Sequence, residues 1–481
     1  MKYQKQTIGG LSHLSFLKSA FSRNSEKTST DRVINWLREQ NNAVHLQIEK
    51  TSFKELDLWE YDKHAGSIKH HSGKFFTING IHVKTNWGNI PEWHQPIINQ
   101  AEIGYLGFIT KKFNGVLHFL MQAKIEPGNV NYIQLSPTLQ ATRSNYTQVH
   151  KGKKPLYLEY FQHVKPEQIL LDQLQSEQGA RFLKKRNRNI IIRIEEELPV
   201  YDNFTWLTLA QVKKLMHYDN LVNMDTRTVI SGIPFGSFEP DVIDFFNFLG
   251  KNRNHDPVKK AMFKSALSND GALNSIEGVI TFLTHLKSIY DLEVTKVPLD
   301  QLRNWIFSKS EIYHKYNKYF KVIAVDVKIG NREVIKWGQP MVEPAQEGLC
   351  AFVCKEINGL MHFAVQAKLE CGNFDIIEFA PTVQCLTGNY RHTRKHTLPF
   401  LDYVLNAPKK KIVFDTLQSE EGGRFYREQN RNMIIIAGDD IPDELPQNYI
   451  WMTLNQLYIF LKFNNYLNIQ ARSLIAAISF V

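Results

Sequence analysis

The stretch Val116–Glu126 carries the side chains best suited to chemistry, and they recur at every second position. Polar side chains share one face of a predicted period-two strand and apolar ones the other; the polar ones are His118, Gln122, Lys124 and Glu126. Carboxylates and imidazoles transfer protons, and an ammonium group binds phosphate or a developing negative charge. Two interpretations stay open: a water-exposed sheet face with cross-strand ion pairs, or the floor of a site for a polar ligand.

The same polar face occurs a second time, about 244 residues later. Asn358–Tyr390 is identical to Asn114–Tyr146 at about half of its positions without a gap. Gln366 and Lys368 repeat the amide and the ammonium of the first copy. Two interpretations would explain this repetition. Both copies could contain a ligand site, or both could keep structural residues of the ancestral domain that was duplicated.

A basic segment that contains tyrosine follows each of these strands. The residues concerned are Arg143, Asn145, Tyr146 and His150 in the first copy, and Asn389, Tyr390 and Arg391 in the second. An aromatic ring beside several cations suits a nucleoside base and its diphosphate, through stacking and charge-assisted hydrogen bonds. A solvated run of charge is the alternative interpretation.

Two further arginines lie in a repeated Leu-Gln-Ser-Glu motif. Ser176 and Ser419 are predicted N-caps of short helices that would carry Arg181 and Arg424. Each arginine could clamp a phosphate or pair with a neighbouring glutamate. Arg188, inside a repeated Asn-Arg-Asn triplet, could bind a ligand or hold backbone at a junction.

The segment Val222–Ile230 differs chemically between the copies. Arg227 is kept as Arg472, but Asp225 is replaced by Gln470. If only one half is catalytic, the half with the additional carboxylate is the better candidate.

These side chains must be positioned by one domain that is present twice. The long spacing predicts modules of residues 1–240 and 241–481, each a mixture of helices and strands, because a period of this length indicates a duplicated domain. Asn114-Gly115 predicts a hairpin turn, and Thr208 and Thr453 each begin a capping box. Gly128 and Asn129 are typical of a turn with positive φ.

Composition narrows the class of protein. The chain has 481 residues, 43% hydrophobic residues and a net charge of +10, so it can bury more than one core and should favour anionic partners. It contains no apolar run of about 20 residues and no secretory apolar region. Its four cysteines form no CxxC pair, which favours a reducing cytoplasm. Phosphate-loop, dinucleotide, zinc-protease and serine-hydrolase motifs are absent, so no metal site is predicted.

The chain resembles the NDP-hexose 2,3-dehydratase family. The resemblance covers most of the sequence and rests on GVLHFLMQAKIEPGN, LSPTLQATRSNYTQVH, PLYLEYF, LQSEQGARFLKKRNRN, LVNMDTRTV and their second-half echoes. It implies an α/β (α+β) protein of two tandem Nudix-like modules, each a mixed sheet flanked by helices. It also implies a homodimer that uses no nicotinamide cofactor. The Nudix hydrolase signature is not present in the sequence, in agreement with a dehydratase that has lost metal-dependent hydrolysis.

The resemblance further implies a lyase that removes water across C2–C3 of dTDP-4-keto-6-deoxyglucose. On this basis the expected proton carriers and charge-stabilising group are Glu126, His118, His150 and Lys124. The expected substrate-binding residues are Gln122, Arg143, Asn145, Tyr146, Arg181, Arg188, Arg227, Gln366, Lys368, Asn389, Tyr390, Arg391 and Arg424. The expected partner is the dTDP-sugar, with no nucleic acid or membrane. A Nudix-type hydrolase and a non-catalytic nucleotide or nucleic-acid binding protein are the alternatives.

Overall fold

The two halves of the chain repeat one order of helices and strands. A computed structural model describes residues 9–142, 154–236, 242, 256–329, 336–389 and 398–481. The helices are α1 (Gly9–Phe21), α2 (Thr30–Asn42), α3 (Leu158–Gln162), α4 (Leu209–Leu215), α5 (Met224–Ser231), α6 (Pro257–Leu267), α7 (Ile276–Ile289), α8 (Leu401–Leu405), α9 (Leu454–Leu461) and α10 (Ile469–Ala477). Among these residues no helix is both long and apolar enough to span a membrane.

The strands follow the same repeat. In the first half they are β1 (Leu46–Thr51), β2 (Trp59–Asp62), β3 (Ser67–His70), β4 (Thr77–Thr85), β5 (Glu92–Asn99), β6 (Gly104–Phe113), β7 (Val116–Ile125), β8 (Ile133–Ser136), β9 (Leu139–Ala141), β10 (Ile169–Ser176), β11 (Arg186–Arg193) and β12 (Phe204–Thr208). In the second half they are β13 (Leu292–Val297), β14 (Trp305–Phe307), β15 (Glu311–His314), β16 (Phe320–Ile329), β17 (Lys336–Pro344), β18 (Gly348–Ile357), β19 (Leu360–Leu369), β20 (Ile377–Ala380), β21 (Val383–Leu386), β22 (Ile412–Ser419), β23 (Gln429–Ala437) and β24 (Tyr449–Thr453).

Each half contains a mixed sheet whose centre is a tight hairpin. In the first half the order is β10-β11-β6-β7-β12, and β11 runs parallel to β6. The second half has the equivalent sheet, with β23 parallel to β18. The predicted turn is confirmed, because Asn114 and Gly115 have φ of 47° and 78° and join β6 to β7. The mixed α/β class and the internal duplication are therefore confirmed.

Helices pack on both main sheets and shield part of the predicted polar strand face from water. Phe119 of β7 lies in a core that also contains side chains of α1 and α4, and Leu120 on the other face lies in a second core. The capping boxes of Thr208 and Thr453 are both present at the starts of α4 and α9. On the predicted polar face His118 and Glu126 are buried and Gln122 and Lys124 are half-buried, so this face is not a fully solvated surface.

Two smaller sheets each combine strands from both halves. β1 of the first half pairs antiparallel with β16 of the second, from Leu46 opposite Ile329 to Thr51 opposite Ala324. β13 of the second half pairs in the same way with β4 of the first. Because each sheet takes one edge strand from the other half, the halves are interlocked through main-chain hydrogen bonds.

We expect neither half to fold stably alone. Residues 1–240 without β13, or 241–481 without β1, would expose the hydrogen-bonding edge and apolar face of β4 or β16 to water. Each fragment expressed separately should aggregate or lack a cooperative thermal transition, whereas co-expression should restore a folded pair. Circular dichroism melts of the separate and co-expressed fragments measure this. A cooperative transition of an isolated half would contradict the interlocked arrangement.

Two local predictions are wrong for identifiable reasons. Ser176 and Ser419 do not cap helices but end β10 and β22, and turns follow each. The Ser176 hydroxyl instead donates to Glu378 at 2.8 Å. Neither Gly128 nor Asn129 has a positive φ. A Cβ at Gly128 would lie 1.7 Å from the carbonyl oxygen of Phe425. Glycine is required because the two halves approach closely at this position.

Candidate active site

Two cavities occupy equivalent places in the two halves. The first has a volume of about 370 Å³, and its lining includes Lys124, Glu126 and Asp225. The second has about 260 Å³, and its lining includes Lys368 and Glu370. Small-molecule sites usually have volumes of roughly 300–1,000 Å³, which favours the first cavity.

Each cavity is completed by side chains from the opposite half. Glu421 and Arg424, from the loop after β22, line the first cavity. Their counterparts Gln178 and Arg181, from the loop after β10, line the second. The contact between Gly128 and the second-half loop is direct, because its N–H donates to the Gly422 carbonyl at 2.7 Å. A site assembled in this way depends on both halves being present.

Glu126 is positioned by a chain of amide hydrogen bonds. It follows the last residue of β7, is 3% exposed, and accepts a hydrogen bond from Gln140 Nε2 at 2.7 Å. The Gln140 side-chain oxygen accepts in turn from Asn223 Nδ2 at 3.2 Å. Lys124 Nζ donates to the Gln140 carbonyl oxygen at 3.2 Å. The carboxylate and the ammonium are therefore both fixed relative to β9, which Gln140 belongs to.

Asp225 lies in the first turn of α5 and is 3% exposed. Burial raises the pKa of Asp225 well above its usual value, and the nearby Glu421, Glu177 and Glu126 carboxylates raise it further. A helix N-terminus and the Lys124 ammonium act in the opposite direction but are weaker than these causes. Burial among other carboxyl groups thus favours the protonated form of Asp225, and environments that push carboxyl pKa values apart are what separates an acid from a base.

Cations balance these carboxyl groups in the first cavity. Lys185 is 5% exposed, donates to the Glu102 carbonyl oxygen, and has its pKa lowered by burial. Arg424 donates to Gln100 Oε1 at 3.2 Å and lies over the ring of Phe76, 4.1 Å from its centroid. The cavity therefore combines groups that can take up protons, give up protons and stabilise negative charge.

Three titratable side chains of the first cavity are changed to other residue types in the lining of the second. Lys185, Asp225 and Glu421 of the first cavity are replaced in the second by Glu428, Gln470 and Gln178. The aromatic lining differs too: the first cavity has Trp59, His70, Phe75, Phe76 and Trp337, and the second has Trp93. The second cavity keeps the shared lysine and glutamate but lacks the buried aspartic acid and the additional lysine.

His118 lies at the far end of β7 from Glu126. Its ring nitrogens lie 2.8 Å from Ser25 Oγ and 2.9 Å from the Val116 carbonyl oxygen, and the side chain is 3% exposed. Lys124, the cavity residue of β7 nearest to it in sequence, is about six residues of strand away, at roughly 3.4 Å each. Gln122 is on β7 and its counterpart Gln366 on β19; neither is among the residues that line a cavity.

Two of the predicted binding arginines are engaged elsewhere. Arg188 forms a two-point ion pair with Asp172, at 2.8 and 2.6 Å, outside both cavities. Arg227 is 1% exposed and donates to Gln418 Oε1 at 3.0 Å and to the Ser419 carbonyl oxygen. It therefore joins the two halves in the interior. Arg181 lies in the second cavity, over the ring of Phe320 at 4.0 Å.

The predicted nucleotide-binding segments fall largely outside the described residues. The predicted residues that lie outside the described ranges are Arg143, Asn145, Tyr146, His150, Tyr390 and Arg391. Asn389 ends a short 3-10 helix, Thr387–Asn389, but its side chain is not among those described. The first segment follows directly on Thr142, which lines the first cavity.

Two residues that line the first cavity, Glu421 and Lys185, were not predicted, although a comparison of the two sequence copies indicates them. When the two copies are aligned, Glu421 corresponds to Gln178 and Lys185 corresponds to Glu428. Both positions belong to the repeated motif that contains the predicted arginines. A position-by-position comparison of charge would have found both. Gln140 and Asn223 are kept as Gln384 and Asn468, so they give no such signal.

Comparisons with known proteins identify the family of the chain. The family model described as NDP-hexose 2,3-dehydratase matches residues 30–233 and again residues 276–478. A protein of Saccharopolyspora spinosa named dTDP-4-dehydro-6-deoxy-alpha-D-glucopyranose 2,3-dehydratase is 44% identical over 466 residues, which cover 96% of this chain and 94% of that protein. Proteins of the same name from Amycolatopsis orientalis and Streptomyces violaceoruber are each 40% identical, covering 96% and 92% of this chain and 92% and 95% of their own lengths. The chain therefore belongs to the NDP-hexose 2,3-dehydratase family.

Proposed function

We propose that the protein removes water across C2–C3 of dTDP-4-keto-6-deoxyglucose, in the biosynthesis of a deoxysugar. The observation that carries this proposal is the first cavity, where Glu126 and Asp225, a carboxyl group whose pKa burial raises, lie among Lys124, Lys185 and Arg424. A dehydration next to a ketone needs a base, an acid and a cation for the enolate oxygen, and this lining supplies all three. The names of the relatives support the choice of substrate.

The reaction can be written with the side chains of this cavity. The C4 ketone acidifies the C3 proton, which Glu126 removes to form an enolate. The Lys124 ammonium stabilises the negative charge on O4, and Asp225 gives its proton to the C2 hydroxyl, which leaves as water. The enol then becomes a 3,4-diketo-2,6-dideoxy sugar as C2 gains a proton and O3 loses one. These last transfers return Glu126 and Asp225 to their starting states.

The nucleotide would bind through the aromatic lining and the adjoining basic segment. Trp337 and Phe75 offer rings on which a base can stack, and Arg424 offers a cation to a diphosphate. The predicted segment with Arg143 and Tyr146 continues from the cavity edge at Thr142. In this proposal the second cavity, with neither the buried aspartic acid nor the additional lysine, performs no dehydration.

The proposal gives a pH dependence with a defined sign. Because burial raises the pKa of Asp225, this group stays protonated above the usual range of a carboxylic acid. We expect kcat to fall as the pH rises through that raised pKa, since the leaving hydroxyl then has no proton donor. Rates from about pH 5 to about pH 10 measure this limb, and the residual rate of Asp225→Asn should lack it. An unchanged limb in that variant would assign it to another group, such as Lys185.

Activity is tested directly by incubation of the purified chain with dTDP-4-keto-6-deoxyglucose in excess EDTA. We expect release of free dTDP, because the diketo product is unstable and eliminates the nucleotide. Intact substrate after prolonged incubation would refute the proposal. Formation of dTMP that depends on Mg²⁺ would instead identify a Nudix-type hydrolase.

Three broader features complete the proposal. A Nudix-like fold for each module agrees with a mixed sheet that has one parallel strand pair and flanking helices. Cytoplasmic location agrees with the four free cysteines, Cys350, Cys354, Cys371 and Cys385. Assembly as a homodimer rests on the family resemblance alone, and light scattering after gel filtration tests it.

A further inference from the structure

Three side chains that the proposed reaction does not use converge on one face of the β4–β5 hairpin. His82 of β4 lies directly opposite His94 of β5, and Glu92 precedes His94 by two residues on the same face. One ligand atom from each of these residues lies within 4.8 Å of the others. Imidazole nitrogens and a carboxylate oxygen are the donors that zinc and its neighbours in the first transition row prefer.

His94 is the unusual member of this group. Both of its ring nitrogens are buried, and neither has a hydrogen-bond partner among the described residues. A buried polar group without a partner is unfavourable and calls for an explanation. The ring of His82 stacks on it with centroids 4.5 Å apart, and His82 Nε2 lies 2.6 Å from Glu92 Oε1. The unsatisfied imidazole therefore lies beside an imidazole–carboxylate pair.

The group is separate from both cavities and belongs to one half only. The alternate residues Ile81, Val83 and Trp93 face the other way, into a small core that also contains Cys371. The residues equivalent to the group in the second half are Asp326, Lys336 and Gly338. The two histidines are thus not part of the framework that the duplication preserved.

We propose that His82, Glu92 and His94 form a binding site for a divalent first-row transition metal such as Zn²⁺. Zinc–nitrogen distances of about 2.0–2.1 Å place the donors of a tetrahedral site roughly 3.3 Å apart. The donor atoms, now within 4.8 Å of one another, must therefore readjust, and the 2.6 Å contact between His82 Nε2 and Glu92 Oε1 must widen. Three protein ligands leave a coordination position for water. Arg303 Nη1, 3.5 Å from Glu92 Oε1, competes for the carboxylate, but its side chain is 74% exposed and can move into water.

A titration of the full chain, stripped with EDTA and then dialysed, tests the proposal. Isothermal calorimetry with ZnCl₂ should give one equivalent of saturable binding, and Co²⁺ should produce visible absorption bands of a low-coordinate site. Removal of a residue that is only hydrogen-bonded to a metal ligand weakens metal binding about 10–100-fold. His82→Gln and His94→Gln each remove a ligand itself, so each should weaken zinc binding by about 100-fold or more. Arg303→Gln should strengthen it.

His71→Gln is the control, because His71 is another imidazole beside a glutamate, with its Nε2 3.6 Å from Glu60 Oε2, and it lies outside the proposed site. This variant should bind zinc as the unmodified chain does. Circular dichroism melts establish that each variant is folded. If His94→Gln is not folded, the folded His82→Gln variant tests the proposal in its place. The absence of a saturable equivalent, or equal affinity in the folded His82 and His94 variants, would overturn the proposal.

Discussion

Glu126→Gln is expected to lower kcat for dehydration by about 10³-fold, within the range of roughly 10²–10⁴ that general-base catalysis contributes. Glutamine has nearly the same shape as glutamate and keeps a side-chain oxygen that can accept the hydrogen bond from Gln140, now at 2.7 Å. It cannot take up a proton from C3. Release of dTDP from dTDP-4-keto-6-deoxyglucose measures the loss.

Glu370→Gln is the matched control for this variant. Glu370 accepts a hydrogen bond from Gln384 Nε2 at 2.9 Å, as Glu126 does from Gln140, and it is buried to a similar degree. Because the second cavity has Gln470 in place of Asp225, we expect this substitution to change kcat by less than about threefold. A large loss in Glu370→Gln with little loss in Glu126→Gln would move the reaction to the second cavity.

Asp225→Asn is expected to lower the rate of water loss by about 10²–10⁴-fold, the contribution typical of a general acid. Asparagine can donate a hydrogen bond to the C2 hydroxyl but cannot give it a proton. Proton removal at C3 does not require Asp225, so the substrate recovered from D₂O should carry deuterium at C3. Proton nuclear magnetic resonance of the recovered sugar measures this exchange.

The control for this variant is Gln470→Asn, at the equivalent position of the second cavity. It shortens a buried side chain in the same helical setting and should leave water loss nearly unchanged. Equal losses in the two variants would indicate that the Asp225 effect comes from disturbed packing between α5 and α10, since these helices carry the two residues.

Local structure could be predicted from the sequence because its causes lie within a few residues. The Asn114-Gly115 turn requires positive φ at two positions, and a capping box satisfies backbone donors three residues apart. Glu126 and Lys124 could be placed on one face of a strand for the same reason. That prediction depends only on a period of two.

The features that complete the site depend on contacts between the halves, and the local pattern contains no information about them. β1 and β13 have similar sequences of polar and apolar residues, so either could pair with β4 or with β16. The sequence predicted the start of a helix at the loop that contains Glu421 and Arg424, because a serine before acidic residues is typical of an N-cap. Its position over the first cavity follows from the close approach at Gly128.

The assignment of Glu126 as base and Asp225 as acid is the central claim, and one measurement tests it directly. Glu126→Gln and Asp225→Asn are incubated with dTDP-4-keto-6-deoxyglucose in D₂O, and deuterium at C3 and free dTDP are measured in the same samples. We expect Glu126→Gln to give neither, and Asp225→Asn to give deuterium at C3 with little dTDP. Deuterium exchange in Glu126→Gln at the rate of the unmodified enzyme would contradict the assignment.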